Sequence, residues 1–217
     1  MKSDRAMRFT FPAVLYPIVD TLGDRTLSHL ELAHAILAAG VCWFQLRVKN
    51  QPTGGFVQIA RAVKAAADRR HAQLIINDRP DIALLVDAAG VHLGQYDIGV
   101  AAARQILGPS KVIGVSTHNP AQAEAAAREG IADYLGFGPV YATTSKEQPD
   151  PVQGVEALRL TRRRVALPVV AIGGISAATM PEVLAAGADA VAMIGEIVRA
   201  ADVTAKVRAL LQIRSGA

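Results

Sequence analysis

Cysteine is almost missing from the chain, with Cys42 the one thiol in 217 residues. Neither an intramolecular disulfide nor a cysteine zinc cluster can be built from it. Its place in the apolar run Val41 to Phe44 predicts a buried thiol rather than a nucleophile, and a reducing cytoplasm fits. Long apolar runs are missing too. None reaches the ~20 residues of a membrane helix, and the charged stretch Met1 to Arg8 lacks the continuous apolar segment of a secretory leader. That stretch is expected to be a loose tail, with one domain over residues 9–217. Charge of one sign is scarce: 23 Lys and Arg stand against 19 Asp and Glu, a formal net charge of +4. The basic runs Arg69-Arg70-His71 and Arg162-Arg163-Arg164 fall at the ends of predicted helices, where cations suit the dipole. Aromatic residues are 5% of the chain and do not interleave with these runs, so no nucleic-acid surface is expected. Small anionic substrates suit the charge better.

What is present is a globular balance, with 51% hydrophobic and 19% charged residues. Apolar patterning alternates between short runs and three- and four-residue spacing. Val14 to Val19 reads as a strand interrupted by Pro17, ending before the turn signal Leu22-Gly23-Asp24. Ser28 to Ala39 reads as a helix closed by Gly40. The cycle repeats with strand Trp43 to Lys49 and helix Phe56 to Arg69, then Gln73 to Ile76 and Asp81 to Ala88, then Gly90 to Leu93 and Val100 to Leu107. It continues with Val112 to Ser116 and Pro120 to Glu129, Asp133 to Phe137 and Val155 to Arg164, Val169 to Ile172 and Ala178 to Ala186, and Ala190 to Ile194 and Val203 to Leu211. The pairs Ala39-Gly40, Ala89-Gly90 and Ala186-Gly187 mark turns into strands. Eight such units predict a single-domain α/β protein, a compact (β/α)8 TIM barrel. An open doubly wound sheet is disfavoured, because no G-x-G-x-x-G follows a strand and opens a helix.

In such a barrel the chemistry stands at the C-terminal strand ends. Gln45, Arg47 and Lys49 alternate with Leu46 and Val48, which puts an amide, a guanidinium and an ammonium on one face, a set suited to a diphosphate. Asp78 after the third strand and Asp97 after the fourth could serve Mg²⁺, which takes one or two carboxylates and completes its shell with water and phosphate oxygens. Singly, Asp78 could instead be a helix cap and Asp97 a turn residue. Ser116 would turn a hydroxyl to the mouth, Asn119 before Pro120 reads as a helix cap, and His118 is either an acid-base residue or a solvated loop histidine. The stretch Gly136-Phe137-Gly138-Pro139-Val140-Tyr141-Ala142-Thr143-Thr144-Ser145-Lys146 joins an apolar run to hydroxyls and an ammonium. Glycines at Gly173-Gly174 and Gly195 suggest a second anion site on backbone amides. Two anion sites imply that two phosphorylated substrates are joined.

These residues resemble the thiamin phosphate synthase family from Tyr16 to about Ile197. The likeness rests on Gln45-Leu46-Arg47-Val48-Lys49, Asn77-Asp78-Arg79, Val91-His92-Leu93-Gly94-Gln95-Tyr96-Asp97, Val115-Ser116-Thr117-His118, Thr143-Thr144-Ser145-Lys146 and Ile172-Gly173-Gly174-Ile175. It implies coupling of hydroxymethylpyrimidine diphosphate to a thiazole phosphate, or its carboxylated form, with Mg²⁺ and release of pyrophosphate. By the same likeness Gln45, Arg47, Lys49, Asn77, Ser116 and Lys146 would bind the pyrimidine diphosphate, with Arg47, Lys49, Ser116 and Lys146 catalytic. Asp78 and Asp97 would hold the metal, and Thr143, Ser145, Gly174, Ile194 and Gly195 the thiazole phosphate. The family's chemistry is a dissociative substitution that needs charge neutralised at the leaving group rather than a strong base. The partners implied are two phosphorylated small molecules, with no nucleic acid or membrane; a homo-oligomer is possible.

Four positions depart from the family's pattern. Val48 stands where Glu is common, Ser145 replaces a threonine, Ala142 stands where proline is frequent, and Gly195-Glu196 replaces Ser-Ala. The last removes a hydroxyl and brings a carboxylate near an anion site, so Glu196 is expected to point outward. A thiazole tautomerase with His118 as acid-base residue is an alternative reading, disfavoured by the joint presence of Lys49, Asp78, Asp97 and Lys146. A non-catalytic sensor of thiazole or thiamin phosphates is another, for which degraded metal or diphosphate residues would be expected.

Overall fold

A computed structural model describes residues 9–21, 27–145 and 150–213. The tail Met1 to Arg8, the turn Leu22-Gly23-Asp24 and Lys146 lie outside these residues. Strands and helices alternate: β1 (Leu15–Val19), α1 (His29–Ala38), β2 (Trp43–Leu46), α2 (Thr53–Asp68), β3 (Gln73–Asn77), α3 (Pro80–Leu85), β4 (Gly90–Leu93) and α4 (Val100–Leu107). They are followed by β5 (Val112–Thr117), α5 (Pro120–Glu129), β6 (Tyr134–Phe137), α6 (Gly154–Arg164), β7 (Val169–Ile172), α7 (Met180–Ala185), β8 (Ala190–Met193), α8 (Gly195–Val198) and α9 (Val203–Leu211). The strands pair in sequence order, all parallel, and β8 returns to β1 through Leu15↔Val191 and Pro17↔Met193, which closes the barrel. The expected (β/α)8 architecture is the one observed. Among the described residues no helix is long and apolar enough to cross a membrane.

Strand periodicity separates two cores. One phase of each strand, including Phe44, Leu46, Leu74, Ile76, Leu135 and Phe137, packs outward against the helices. The other fills the lumen with Tyr16, Ile18, Trp43, Ile75, Tyr134 and Val170, and Phe9 and Phe11 stack on Trp43, Tyr16 and Tyr134. Local signals set many of the boundaries. Ser28 caps α1 in a reciprocal arrangement with Glu31, and Asn119 caps α5 by accepting from the Gln122 amide at 2.9 Å, with Pro120 at the first helical position.

Several expectations need correction. Cys42 is exposed rather than buried; it precedes β2 and points away from both cores, which claim Val41 and Trp43 on either side of it. The second strand ends at Leu46 rather than Lys49, although the Arg47 amide still donates to the Val19 carbonyl at 2.9 Å. Helix α2 begins at Thr53, three residues before Phe56, and α3 covers Pro80–Leu85 rather than Asp81 to Ala88. Gly40 and Gly187 have the positive φ of a turn, but Gly90 does not. It opens β4, where a Cβ would stand 1.9 Å from the Val112 carbonyl oxygen, so close strand contact explains that glycine.

Candidate active site

A cavity of about 300 Å³ opens at the C-terminal end of the barrel. Its floor is a chain of hydrogen bonds across the lumen. Gln45 on β2 donates its amide to the Tyr16 hydroxyl at 3.2 Å. The Tyr16 hydroxyl meets that of Tyr134 at 3.0 Å, Tyr134 meets Nδ1 of His92 at 3.0 Å, and Nε2 of His92 meets the Ser116 hydroxyl at 2.9 Å. Burial raises the pKa of both tyrosines, so both stay protonated. One ordering of protons satisfies all four contacts: Gln45 donates to Tyr16, Tyr16 to Tyr134, Tyr134 to His92 Nδ1, and His92 Nε2–H to Ser116. The Ser116 proton is then left to donate into the cavity. The histidine fits beside β6 because Gly136 has no side chain; a Cβ there would lie 3.0 Å from its ring.

Above this floor stand the charged groups. The Arg47 guanidinium pairs with buried Asp20 at the end of β1, and its backbone carbonyl meets His29 Nε2 at 3.2 Å. Lys49 reaches across to Asp78 at 2.5 Å. Asp78 has φ +66° and makes no helix cap; α3 is preceded by Arg79, which pairs with Asp81. Asp97 accepts from the Gly94 amide at 2.7 Å, which is the turn role allowed for it, and its carboxyl also lies against Asp78. Burial, then the neighbouring Asp78 carboxylate, raises the Asp97 pKa. Gln45, Arg47, Asn77 and Ser116 line the cavity, whereas Lys49, Asp78 and Asp97 sit outside its lining at the adjoining strand ends.

The opposite side is built by the loop after β6 and the ends of β7 and β8. Thr143, Ser145, Gly174, Ile194 and Gly195 all border the cavity. Thr143 accepts from the Ser145 amide at 3.2 Å. His118, whose role the sequence leaves open, is held by the Gly138 carbonyl at Nδ1 (2.8 Å) and lies 3.5 Å from Asp150. Glu196 also borders the cavity, but its Oε1 accepts from Lys206 on α9 at 2.9 Å and from the Ala177 amide at 3.4 Å. Its charge is thus met by an ammonium. Sequence reasoning assigned no role to Tyr16, Tyr134, His92, Asp20 and Arg199; inward phase in their strands is the signal that could have found the first three.

A closed parallel barrel whose mouth combines a cationic strand end, a carboxylate pair and a hydroxyl-rich, glycine-rich wall has the build of a phosphate-handling TIM-barrel enzyme. The chain belongs to the thiamine monophosphate synthase family, whose profile matches residues 15–197. It is 43% identical to the thiamine-phosphate synthase of Chloroflexus aurantiacus over 90% of both chains. With the thiamine-phosphate synthase of Methanocella arvoryzae it shares 44% identity over 93% of this chain and 94% of that one. Among solved structures it is similar to the thiamine phosphate pyrophosphorylase of Pyrococcus furiosus, with a TM-score of 0.80 and 36% identity, covering 90% of this chain and 92% of that one. A 3-hexulose-6-phosphate synthase, 20% identical with a TM-score of 0.67, shares the fold.

Proposed function

We propose that the chain is a thiamin phosphate synthase, a transferase that joins hydroxymethylpyrimidine diphosphate to thiazole phosphate and releases pyrophosphate. The observation that carries this reading is 43–44% identity, over about nine-tenths of both chains, to proteins named for that activity. The cavity's two polar sides support it. The pyrimidine diphosphate belongs on the side of Gln45, Arg47, Asn77 and Ser116, with Lys49 reaching it from outside the cavity lining and Lys146, which lies outside the described residues, as a further cation assigned to it. The thiazole phosphate belongs on the side of Thr143, Ser145, Gly174, Ile194 and Gly195.

In the reaction the carbon–oxygen bond to the diphosphate breaks, and its electron pair leaves with pyrophosphate. The thiazole nitrogen then gives its lone pair to the pyrimidinylmethyl cation. No proton is moved, so the residues act by position and charge. Arg47, fixed by Asp20 and His29, and Lys49 offset charge on the leaving group. Ser116, oriented by His92, donates a hydrogen bond to a diphosphate oxygen and keeps its proton.

Asp78 and Asp97 suit Mg²⁺ as well as two residues can. The two carboxyls adjoin, and the Asp97 pKa is raised first by burial and then by the Asp78 carboxylate beside it, an arrangement that a cation would relieve. Bound there, Mg²⁺ would supply further neutralisation of the departing pyrophosphate. Titrating the protein with Mg²⁺ in the presence of pyrophosphate tests this: heat of binding lost in Asp78→Asn and Asp97→Asn supports the site, and unchanged heat in both variants refutes it.

A further inference from the structure

We propose that Arg199 determines specificity for the phosphorylated over the unphosphorylated thiazole, by holding the phosphate above Gly195. The inference rests on the synthase reading and deepens it.

Arg199 closes the short helix α8, and its side chain bends back over that helix to the cavity. Its Nη2 donates to the Thr144 hydroxyl at 3.1 Å. A Cβ built on Gly195 would stand 2.7 Å from Nη1 and 3.5 Å from the Ser145 hydroxyl. The guanidinium and that hydroxyl therefore converge on the space over Gly195, and it is the missing side chain that admits the guanidinium. Arg199 has no carboxylate partner among the described residues, whereas the other arginine lining the cavity, Arg47, is paired with Asp20. Of the two acids three residues away, Glu196 is paired with Lys206 and Asp202 caps α9 by accepting from the Ala205 amide. A planar fork of N–H donors with its charge unspent, beside hydroxyls and bare backbone, suits a phosphate ester and offers little to a neutral alcohol.

Calorimetry with thiazole phosphate and with the corresponding hydroxyethylthiazole decides the matter, alongside steady-state kinetics. Arg199 is exposed, so Arg199→Gln should fold normally. It should weaken binding of the phosphate ester on the order of ten- to a hundredfold, the usual loss for a charged hydrogen-bonding group. The alcohol's affinity, kcat at saturation and the KM for the pyrimidine diphosphate should each stay within about twofold, the scatter of a surface change. Gly195→Ser added to Arg199→Gln should recover part of the loss, because the hydroxyl then enters the space the guanidinium left. An unchanged affinity for the phosphate ester, or equal weakening of ester and alcohol, overturns the proposal. Absence of thiamin phosphate from the wild-type reaction would remove the synthase reading instead, and the binding comparison would still decide the role of Arg199.

Discussion

Replacing Tyr134 by phenylalanine removes one oxygen from the middle of the lumen chain and leaves the ring packing in place. That oxygen makes two contacts of 3.0 Å, with Tyr16 on one side and His92 on the other. At about 1 kcal/mol net for each bond, the loss should be about 2 kcal/mol of stability. For a domain of this size that lowers Tm by about 4–8 °C, at roughly 2–4 °C per kcal/mol. The kinetic effect should be one-sided. Ser116 is oriented by His92, and His92 by Tyr134, so kcat/KM for the pyrimidine diphosphate should fall by about tenfold, equivalent to about 1.4 kcal/mol. The KM for thiazole phosphate should not move, because its proposed ligands lie across the cavity. Urea denaturation and steady-state kinetics with each substrate varied in turn give both numbers. Tyr16→Phe, one link further from Ser116, serves as the control, with a stability loss of similar sign and a smaller kinetic one. Unchanged stability in Tyr134→Phe, or equal effects on both substrates, would refute the idea that this chain orients Ser116.

Asp97→Asn should raise the stability of the metal-free protein at pH 7, because the folded state disfavours that carboxylate's charge. For the wild type, the raised pKa means that stability falls as pH rises from the unfolded carboxyl value through the folded one; thermal melts of both proteins across pH 3 to 7, about the range where carboxyls titrate, check the sign. The His29 pKa is lowered, mainly by burial, so its stabilising share is complete above the ordinary value of 6.5 and lost as pH drops from there towards the folded value; His29→Asn should flatten that part of the melting profile. Lys206→Met should leave Glu196 without its ammonium and raise the KM for thiazole phosphate severalfold, with no change for the pyrimidine diphosphate. In single-turnover experiments Lys146→Ala should slow pyrophosphate departure more than it weakens thiazole phosphate binding.

The barrel was legible because each unit announces its switch from period two to helical spacing, and because caps such as Asn119-Pro120 and turn glycines such as Gly40 and Gly187 punctuate it. The alternation of Gln45, Arg47 and Lys49 with Leu46 and Val48 is likewise a local property: Leu46 and Val48 join the core beneath the helices while Gln45 enters the lumen. Cys42 shows where local reasoning fails, since an apolar run does not tell which of its residues lies just outside the strand and turns to solvent. The four-residue α8 was too short to carry a period. The Tyr16–Tyr134–His92 chain joins strands β1, β6 and β4, and its first link spans 118 residues, so no window of sequence contains it. Arg199 was hidden for another reason. An arginine at a helix end is ordinary, and only its position over Gly195 distinguishes it.

On the proposed reading, two phosphorylated substrates meet in this cavity and are joined. Incubating the purified protein with hydroxymethylpyrimidine diphosphate, thiazole phosphate and Mg²⁺, and following the products by mass spectrometry, tests it most directly. Thiamin phosphate should appear together with an equal amount of pyrophosphate. Isomerised thiazole without thiamin phosphate would contradict the account.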